Sequence, residues 1–317
     1  MATTTSTEAV FDTSRPTRSL WSDALRRLMR NKMAVASVAV ILFFTIVAIA
    51  APILAPHPPT FQSRDRPDRG NGGPDLPPAW AADGKAGYPL GTDGLGRDIL
   101  SRMMYGAQVS LSVGFIPTFV IVIVGIIVGL NAGYRGGWID SLLMRITDIT
   151  YAFPSLLFIL IMVSALHDTA FAGFLGGLPL IFLSIAVVAW VGVARLVRGQ
   201  VLSLREKEFV EAARSIGTPN WRIMLTHLLP NSLGPVIVSA TFTIPGFILT
   251  EAFLGFIGIG VKPPTPTWGG IINDGFNSIN SAPHEVWVPA TCIGLLTLSF
   301  TFLGDGLRDA LDPRMKV

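Results

Sequence analysis

The sequence predicts an all-α membrane protein with six transmembrane helices and with both termini in the cytoplasm. Half of its 317 residues are hydrophobic and 14% are charged, whereas roughly a quarter of the residues in a soluble domain are charged. Six apolar segments lie along the chain, and each is close to the roughly 20 residues that a helix needs to cross about 30 Å of hydrocarbon. The lysines and arginines are distributed unevenly between the segments that connect them.

The apolar segments are residues 33–54, 109–132, about 140–166, 173–194, 232–250 and 286–304. A cleaved signal peptide is the alternative for the first of them, because Ala48, Ile49 and Ala50 resemble a cleavage site. Its apolar stretch is longer than the roughly 7–15 residues of a signal-peptide core. We therefore predict a retained first helix and a multi-pass protein of the cell membrane.

The basic residues predict the orientation. With the N-terminus inside, the inner segments hold 17 lysines and arginines and the outer segments hold 7, as the excess of positive charge in cytoplasmic loops requires. Residues 1–32 then form a cytoplasmic tail, and residues 55–108 form an extracytoplasmic loop with an amphipathic segment. Residues 109–306 form a five-helix core whose cytoplasmic loop is 195–231, and residues 307–317 form a second cytoplasmic tail.

Several classes of function lack support in the sequence. The chain has no phosphate-binding loop, because the pair Gly84 and Lys85 lacks both the preceding glycine and the following hydroxyl. A single cysteine, Cys292, cannot form an intrachain disulfide. No residues have the spacing of a metal site or of a nucleophile with its base, and the net charge of +3 does not indicate nucleic-acid binding. We expect no catalysis, metal or cofactor on this chain.

The loop between the fourth and fifth apolar segments is charged and helix-prone. Its first half has apolar residues at the spacing of one helical face, namely Phe209, Ala212, Ala213 and Ile216. Gly217 is expected to end that helix in a left-handed conformation, Thr218 to cap the next helix and Pro219 to occupy its first position. The second helix repeats the spacing at Trp221, Met224, Leu225 and Leu228, and Pro230 is expected to end it. The sequence thus predicts two short amphipathic helices at the membrane surface.

This loop resembles the EAA motif of ABC-importer permeases, EAA-x3-G-x9-I-x-L-P. The matching residues are Glu211, Ala212, Ala213, Gly217, Leu229 and Pro230, and His227 stands where the pattern has isoleucine. The sequence HLLPN at the end of the motif is similar to that of the permease branch that imports dipeptides, oligopeptides and nickel. Residues 90–111 resemble that family's N-terminal signature, with Gln108 in place of the usual arginine, and residues 254–274 resemble its outer segment, with Gly255 and Thr267 in place of two serines.

The resemblance implies a type I ABC importer permease fold and a translocation subunit without catalysis of its own. The implied partners are a second, homologous permease, two cytoplasmic ATPases that bind ATP and Mg, an extracytoplasmic substrate-binding protein and membrane lipid. In this family the EAA loop docks into a cleft on the ATPase. We refer to residues 195–231 as the EAA loop.

Three further groups of residues are candidates within the membrane part. Glycines 125, 129, 133 and 137 share one helical face and are expected to pack closely against another helix. Pro245 and Gly246 predict a bend, either static or working, that makes them candidates for the translocation path or gate together with Glu251. The Glu251 carboxylate is expected at the headgroups or in a wet cavity.

The outer loop is rich in proline. Pro263, Pro264, Pro266 and Trp268 predict a stiff, extended segment that either contacts the binding protein or caps the pore. Asp148, Asp305 and His227 are expected to have no specific role. The alternative function is a secondary transporter or channel acting without an ATPase, against which the chain lacks an obvious inverted repeat and buried charge for ion coupling. A structural membrane subunit is a third possibility, which has little need of the full motif.

Overall fold

The computed structural model describes residues 20–62, 73–167, 169 and 173–311. Several basic residues used for the orientation lie outside the described part, namely Arg15, Arg18, Arg64, Arg66, Arg69, Arg314 and Lys316. The helices are α1 (Leu20–Arg30), α2 (Lys32–Leu54), α3 (Ile99–Arg135), α4 (Gly137–Ala152), α5 (Ser155–Leu166), α6 (Leu178–Leu204), α7 (Glu208–Ser215), α8 (Asn220–Phe256), α9 (Trp268–Phe276) and α10 (His284–Leu311).

Five of the described helices are long and apolar enough to cross a membrane, namely α2, α3, α6, α8 and α10. The consecutive helices α4 and α5 meet the same test only as a pair, and they are bent by 77° where they join. The pair makes the sixth span if it is counted as one. The six predicted spans therefore correspond to these helices, with the α4 and α5 pair as the third span, which is broken rather than straight.

Several predicted boundaries differ from the structure. The amphipathic segment before residue 109 is continuous with the second span, so α3 runs from Ile99, where the Asp98 side chain caps it by accepting the N–H of Ser101 at 2.8 Å. Part of the predicted N-terminal tail is helix α1. Pro230 does not end a helix. A π-helical turn at Met224–Leu228 precedes it and shifts the hydrogen-bond register, so α8 accommodates a residue without an N–H.

The closest helix packing is between α3 and α6. A Cβ added to Gly125, Gly129 or Gly133 would lie 2.6–2.8 Å from the Cβ of a valine on α6, namely Val193, Val197 or Val201. These three glycines therefore form the predicted packing face, because only a residue without a side chain allows the two backbones to approach so closely. Gly137 is an exception: it has a φ of +57° at the start of α4 and faces open space.

A cluster of buried apolar side chains joins α2, the first half of α3, the second half of α8 and α10. It includes Phe44, Met103, Ile248, Trp268 and Phe300. The first span is thus packed into the bundle through Ile41, Phe44 and Ala48 and is an integral part of the fold.

Candidate functional site

Helix α7 packs against the end of the helix bundle, and two of its residues are buried there. Val210 is fully buried and Ala213 is 6% exposed, whereas Ile216 is 83% exposed. Of the predicted apolar face of Phe209, Ala212, Ala213 and Ile216, only Ala213 is buried against the bundle, and the other three side chains are exposed. The physical reason is that the helix has only eight residues, so a single i, i+3 pair is enough to attach it. Among the motif residues, Glu211 and Ala212 are exposed.

The corner after α7 has the predicted left-handed glycine. Gly217 has a φ of +76°. Its N–H donates to the Arg214 carbonyl at 2.9 Å, and the Thr218 N–H donates to the Ala213 carbonyl at 3.1 Å. These two bonds form the Schellman pattern that closes a helix at such a glycine. The next helix begins one residue later than predicted: Pro219 takes the capping position, and no side chain caps Asn220.

The first turns of α8 divide into a buried and an exposed side. Ile223, Met224 and Leu228 are buried, whereas Trp221 is 58% and Leu225 is 52% exposed. The predicted apolar face of Trp221, Met224, Leu225 and Leu228 is therefore divided, because only Met224 and Leu228 pack against the bundle. The exposed apolar residues of the EAA loop, which we call the apolar tip, are Phe209, Ile216, Trp221 and Leu225. At the end of the motif, Leu229 is half-buried and Pro230 is exposed.

Side-chain contacts connect the EAA loop to the end of α3. The Tyr134 hydroxyl donates to the Asn220 side-chain oxygen at 2.9 Å, and the Arg214 guanidinium lies 5.3 Å from the centre of the Tyr134 ring. Arg205 donates to the Gly133 carbonyl at 3.0 Å. Tyr134, Arg214 and Asn220, together with Trp221, border an open cavity of about 660 Å³ at this end of the bundle. The EAA loop is therefore attached directly to the end of α3.

Ion pairs connect α4 to α6. Arg198 binds both oxygens of Asp140 at 2.6 and 2.7 Å. Arg195 donates to Asp148 at 2.7 Å and lies over the Tyr151 ring at 4.5 Å. Asp148 thus has a partner that the sequence did not indicate, although an exposed pair of this kind contributes only about 0–1 kcal/mol.

The gate candidates lie on α8, which continues through them to Phe256. Pro245 is buried and Gly246 is exposed. Glu251 is fully buried, accepts a hydrogen bond from Ser110 at 3.0 Å and is also bonded by Thr267. The Glu251 carboxylate is therefore enclosed by protein and does not face the wet cavity that was one of its two expected locations, because α3 and the segment before α9 close over it.

The outer proline-rich loop is only partly available for contact. Pro263 and Pro264 are exposed, whereas Pro266 is buried. Trp268 is 1% exposed and begins α9, with its indole N–H donating to the Met103 carbonyl at 3.0 Å and its ring packed edge-on against Phe44. Pro266 and Trp268 are therefore not exposed on this chain, since the loop folds back and inserts the tryptophan into the bundle. Contact with a binding protein and capping of the pore both stay predictions for the exposed part of the loop.

A closed ring of ion pairs was missed by the sequence analysis. Arg97 binds Asp93 at 2.7 Å and Asp274 at 2.8 Å, and Arg102 binds the same two aspartates. The ring fixes the turn before α3 onto α9, more than 170 residues away in sequence. The only available signal was the concentration of charge in the GTD-x-x-GRD-x-x-SR segment of an apolar chain. Next to the ring, burial raises the pKa of the Asp98 carboxyl despite its hydrogen bonds from Ser101.

Two further observations concern Gln108, which departs from the family signature, and the side chains that could bind a metal. Gln108, which stands where the resembling family has arginine, donates to the Ala48 carbonyl at 2.7 Å and so joins α3 to α2. Within the described ranges, no group of three or more histidine, cysteine, aspartate or glutamate side chains is placed to hold a metal ion.

Comparisons with known proteins agree with this architecture. Residues 121–317 match the family described as the binding-protein-dependent transport system inner membrane component, and residues 19–78 match the N-terminal transmembrane domain of oligopeptide transport permease C. The dipeptide transport permease DppC of Bacillus subtilis is 39% identical over 95% of this chain and 88% of its own. The oligopeptide transport permease OppC of Haemophilus influenzae is 41% identical over 94% and 89%.

A third relative and a solved structure extend the comparison. The glutathione transport permease GsiD of Escherichia coli is 38% identical over 94% of this chain and 92% of its own. A chain of the inward-facing MetNI methionine ABC transporter has the same fold, with a TM-score of 0.50, 20% identity and coverage of 65% of this chain and 94% of its own. The chain therefore belongs to the binding-protein-dependent transport system inner membrane component family and is a permease subunit of an ABC importer.

Proposed function

We propose that this permease imports short peptides that an extracytoplasmic binding protein delivers. The proposal is supported by the names of the relatives, which are dipeptide, oligopeptide and glutathione transport permeases. In the proposed assembly, this chain pairs with a second, homologous permease. Two cytoplasmic ATPases bind ATP and Mg and provide the energy, while this chain binds no cofactor.

The apolar tip is the observation that carries the proposed ATPase contact. Four large apolar side chains are exposed on one short loop, and Ile216 and Trp221 flank the Gly217 corner. An exposed set of this kind indicates a protein partner or the membrane surface. The loop is also charged, with Glu208, Glu211 and Arg214 on α7, which favours a soluble partner. The basic-residue distribution places this loop in the cytoplasm, where the ATPases would be.

The contacts of the EAA loop provide a route for the motion. Closure of the ATPases on ATP would move α7 and the start of α8 as one corner. Because α8 is continuous from Asn220 to Phe256, the displacement reaches the far end of the bundle along that helix. Tyr134 and Arg205 pass it to α3. The permease would thus alternate between states open to either side of the membrane.

Reconstituted vesicles test this function. The complete complex should take up labelled dipeptide only with binding protein and Mg-ATP, and Ile216→Asp should reduce co-purification of the ATPase. For a residue central to the interface we expect a loss of about 30-fold, corresponding to roughly 2 kcal/mol. Ser203→Asp is the matched control, since it introduces the same charge at an exposed position of the same loop outside the apolar tip. Uptake that persists without the ATPases would instead identify a secondary transporter or channel.

A further inference from the structure

The break between α4 and α5 is exposed along its whole length. Every residue from Tyr151 to Leu157 is exposed, and Tyr151 and Phe153 are 69% and 58% exposed. Pro154 stands at the break, lacks an N–H and forces the preceding residue out of helical geometry. The last carbonyls of α4 and the first N–H groups of α5 have no partner within their own helices, and no side chain caps α5.

The depth of this break determines what can lie beside it. The break shares a cavity of about 560 Å³ with Ile185, Val188 and Gly192 of α6. Val188 and Gly192 lie in the middle third of α6 and Ile185 lies just before it, so the break lies beside the apolar, membrane-spanning part of this helix. Non-helical backbone at such depth is tolerated only where protein covers it or where it lines a water-filled space. Contact of the break with lipid is therefore excluded.

The side chains around the cavity combine hydroxyls with aromatic rings. Thr150, Tyr151 and Ser155 lie at the break, and Phe247 and Thr250 of α8 lie on the other side. Thr150 donates its proton to the Ile146 carbonyl at 3.0 Å, which leaves its oxygen able to accept another hydrogen bond. The hydroxyls of Tyr151 and Ser155 make no hydrogen bond to the part of the chain that the structure describes. The cavity contains no carboxylate or amine of its own among its lining residues.

We propose that the α4–α5 break lines the translocation path and binds the main chain of an extended peptide. The backbone groups left free at the break and the hydroxyls supply both donors and acceptors for a peptide main chain, while Tyr151 and Phe153 contact its side chains. Because the lining residues are uncharged, the site recognises the amide backbone shared by all peptides and not one side chain. This inference rests on the proposed peptide-import function and adds the place where the peptide is bound within the membrane.

Cysteine accessibility in the complete, reconstituted complex tests the site. In a Cys292→Ser background, Ser155→Cys should react with a membrane-impermeant sulfonate thiol reagent, and a saturating transported dipeptide with binding protein and Mg-ATP should slow that reaction at least about fivefold. Ile46→Cys is the control, because Ile46 is 61% exposed on the apolar helix α2 and should not react. A Ser155→Cys complex that does not react overturns the proposal, since the second permease then seals the break. Reaction at the same rate with and without peptide overturns it as well.

Hydroxyl removal gives an independent readout that keeps the backbone unchanged. Thr150→Val and Tyr151→Phe should each raise the peptide KM by about two- to tenfold, the range expected for one lost hydrogen bond, with little change in the ATPase rate of the complex without peptide. An unchanged KM in both variants contradicts the proposed contacts. Failure of the proposed function and failure of the binding site are distinguishable. If the unmodified complex imports no peptide at all, peptide import is wrong, whereas normal import with an unprotected Ser155→Cys rejects only the binding site.

Discussion

Gly217 is the position where a single substitution tests the EAA loop most directly. A side chain there has no steric neighbour, because an added Cβ meets no atom within 4 Å. The whole penalty of Gly217→Val therefore comes from the φ of +76°, which costs an L-residue roughly 1–2 kcal/mol and a β-branched residue at least that much. A difference of this size lowers the ratio of the native corner to its other conformations by a factor of about 5–30, which sets the largest loss of activity that the substitution can cause through the corner.

The expected consequence is a loss of coupling with preserved insertion of the protein. When the corner changes, Trp221 and Leu225 no longer present the same surface as Ile216, and the two hydrogen bonds from Gly217 and Thr218 are lost. Peptide uptake and substrate-stimulated ATP hydrolysis in reconstituted vesicles should both fall by about 5–30-fold. The amount of protein in the membrane should stay the same, because the buried contacts of α7 are only Val210 and Ala213.

Gly217→Asn is the matched variant at the same position. Asparagine adopts the left-handed conformation more readily than other residues with a Cβ, so it should retain most of the uptake that Gly217→Val loses. If Gly217→Val takes up peptide as fast as the unmodified chain does, the corner does not need its left-handed residue. An asparagine variant as inactive as the valine variant would show that the backbone argument is incorrect.

Three further predictions concern packing, bending and orientation. Gly129→Ala places a Cβ 2.6 Å from Val197 and should lower the free energy of unfolding by about 1–3 kcal/mol, measured by thermal unfolding in detergent. Gly199 has open space around it, so Gly199→Ala is the control and should be neutral or stabilising by up to about 1 kcal/mol. Equal effects of the two substitutions would contradict the packing face. Pro245→Ala should stiffen α8 and reduce uptake while the complex stays assembled, and normal uptake would mean that the proline is only a static feature. Cysteines at Ser203 and Thr60, both exposed, should be labelled from opposite sides of the membrane in a cysteine-free background, and labelling of both from outside would reject the proposed orientation.

The sequence predicted the features that depend on local chemistry. Apolar length located the spans, and the four-residue spacing of small residues predicted the face at Gly125, Gly129 and Gly133. The left-handed Gly217 was predictable because a glycine after an amphipathic run is the usual end of a helix. These properties depend on residues within one or two turns of each other.

Features that depend on distant contacts were not predictable in the same way. The partner of Arg97 and Arg102 is Asp274, and no periodicity relates positions so far apart. The location of Glu251 was predicted from its position near a helix end, but Thr267 and Ser110 come from other elements to cover it. The break at Pro154 had a local signal, since proline disfavours helical geometry in the preceding residue. Hydropathy alone does not detect it, because the residues on both sides are apolar enough to predict one continuous span.

The ring formed by Asp93, Arg97, Arg102 and Asp274 has a consequence for how the permease responds to the membrane potential. Each arginine binds both aspartates, so two positive and two negative charges form a unit with no net charge. Moving one elementary charge through the field changes the energy by about 2.3 kcal/mol per 100 mV, and a neutral unit avoids this term. The ring itself therefore adds no voltage-dependent energy to a motion that carries it with α9, although it holds four of the charges of this chain.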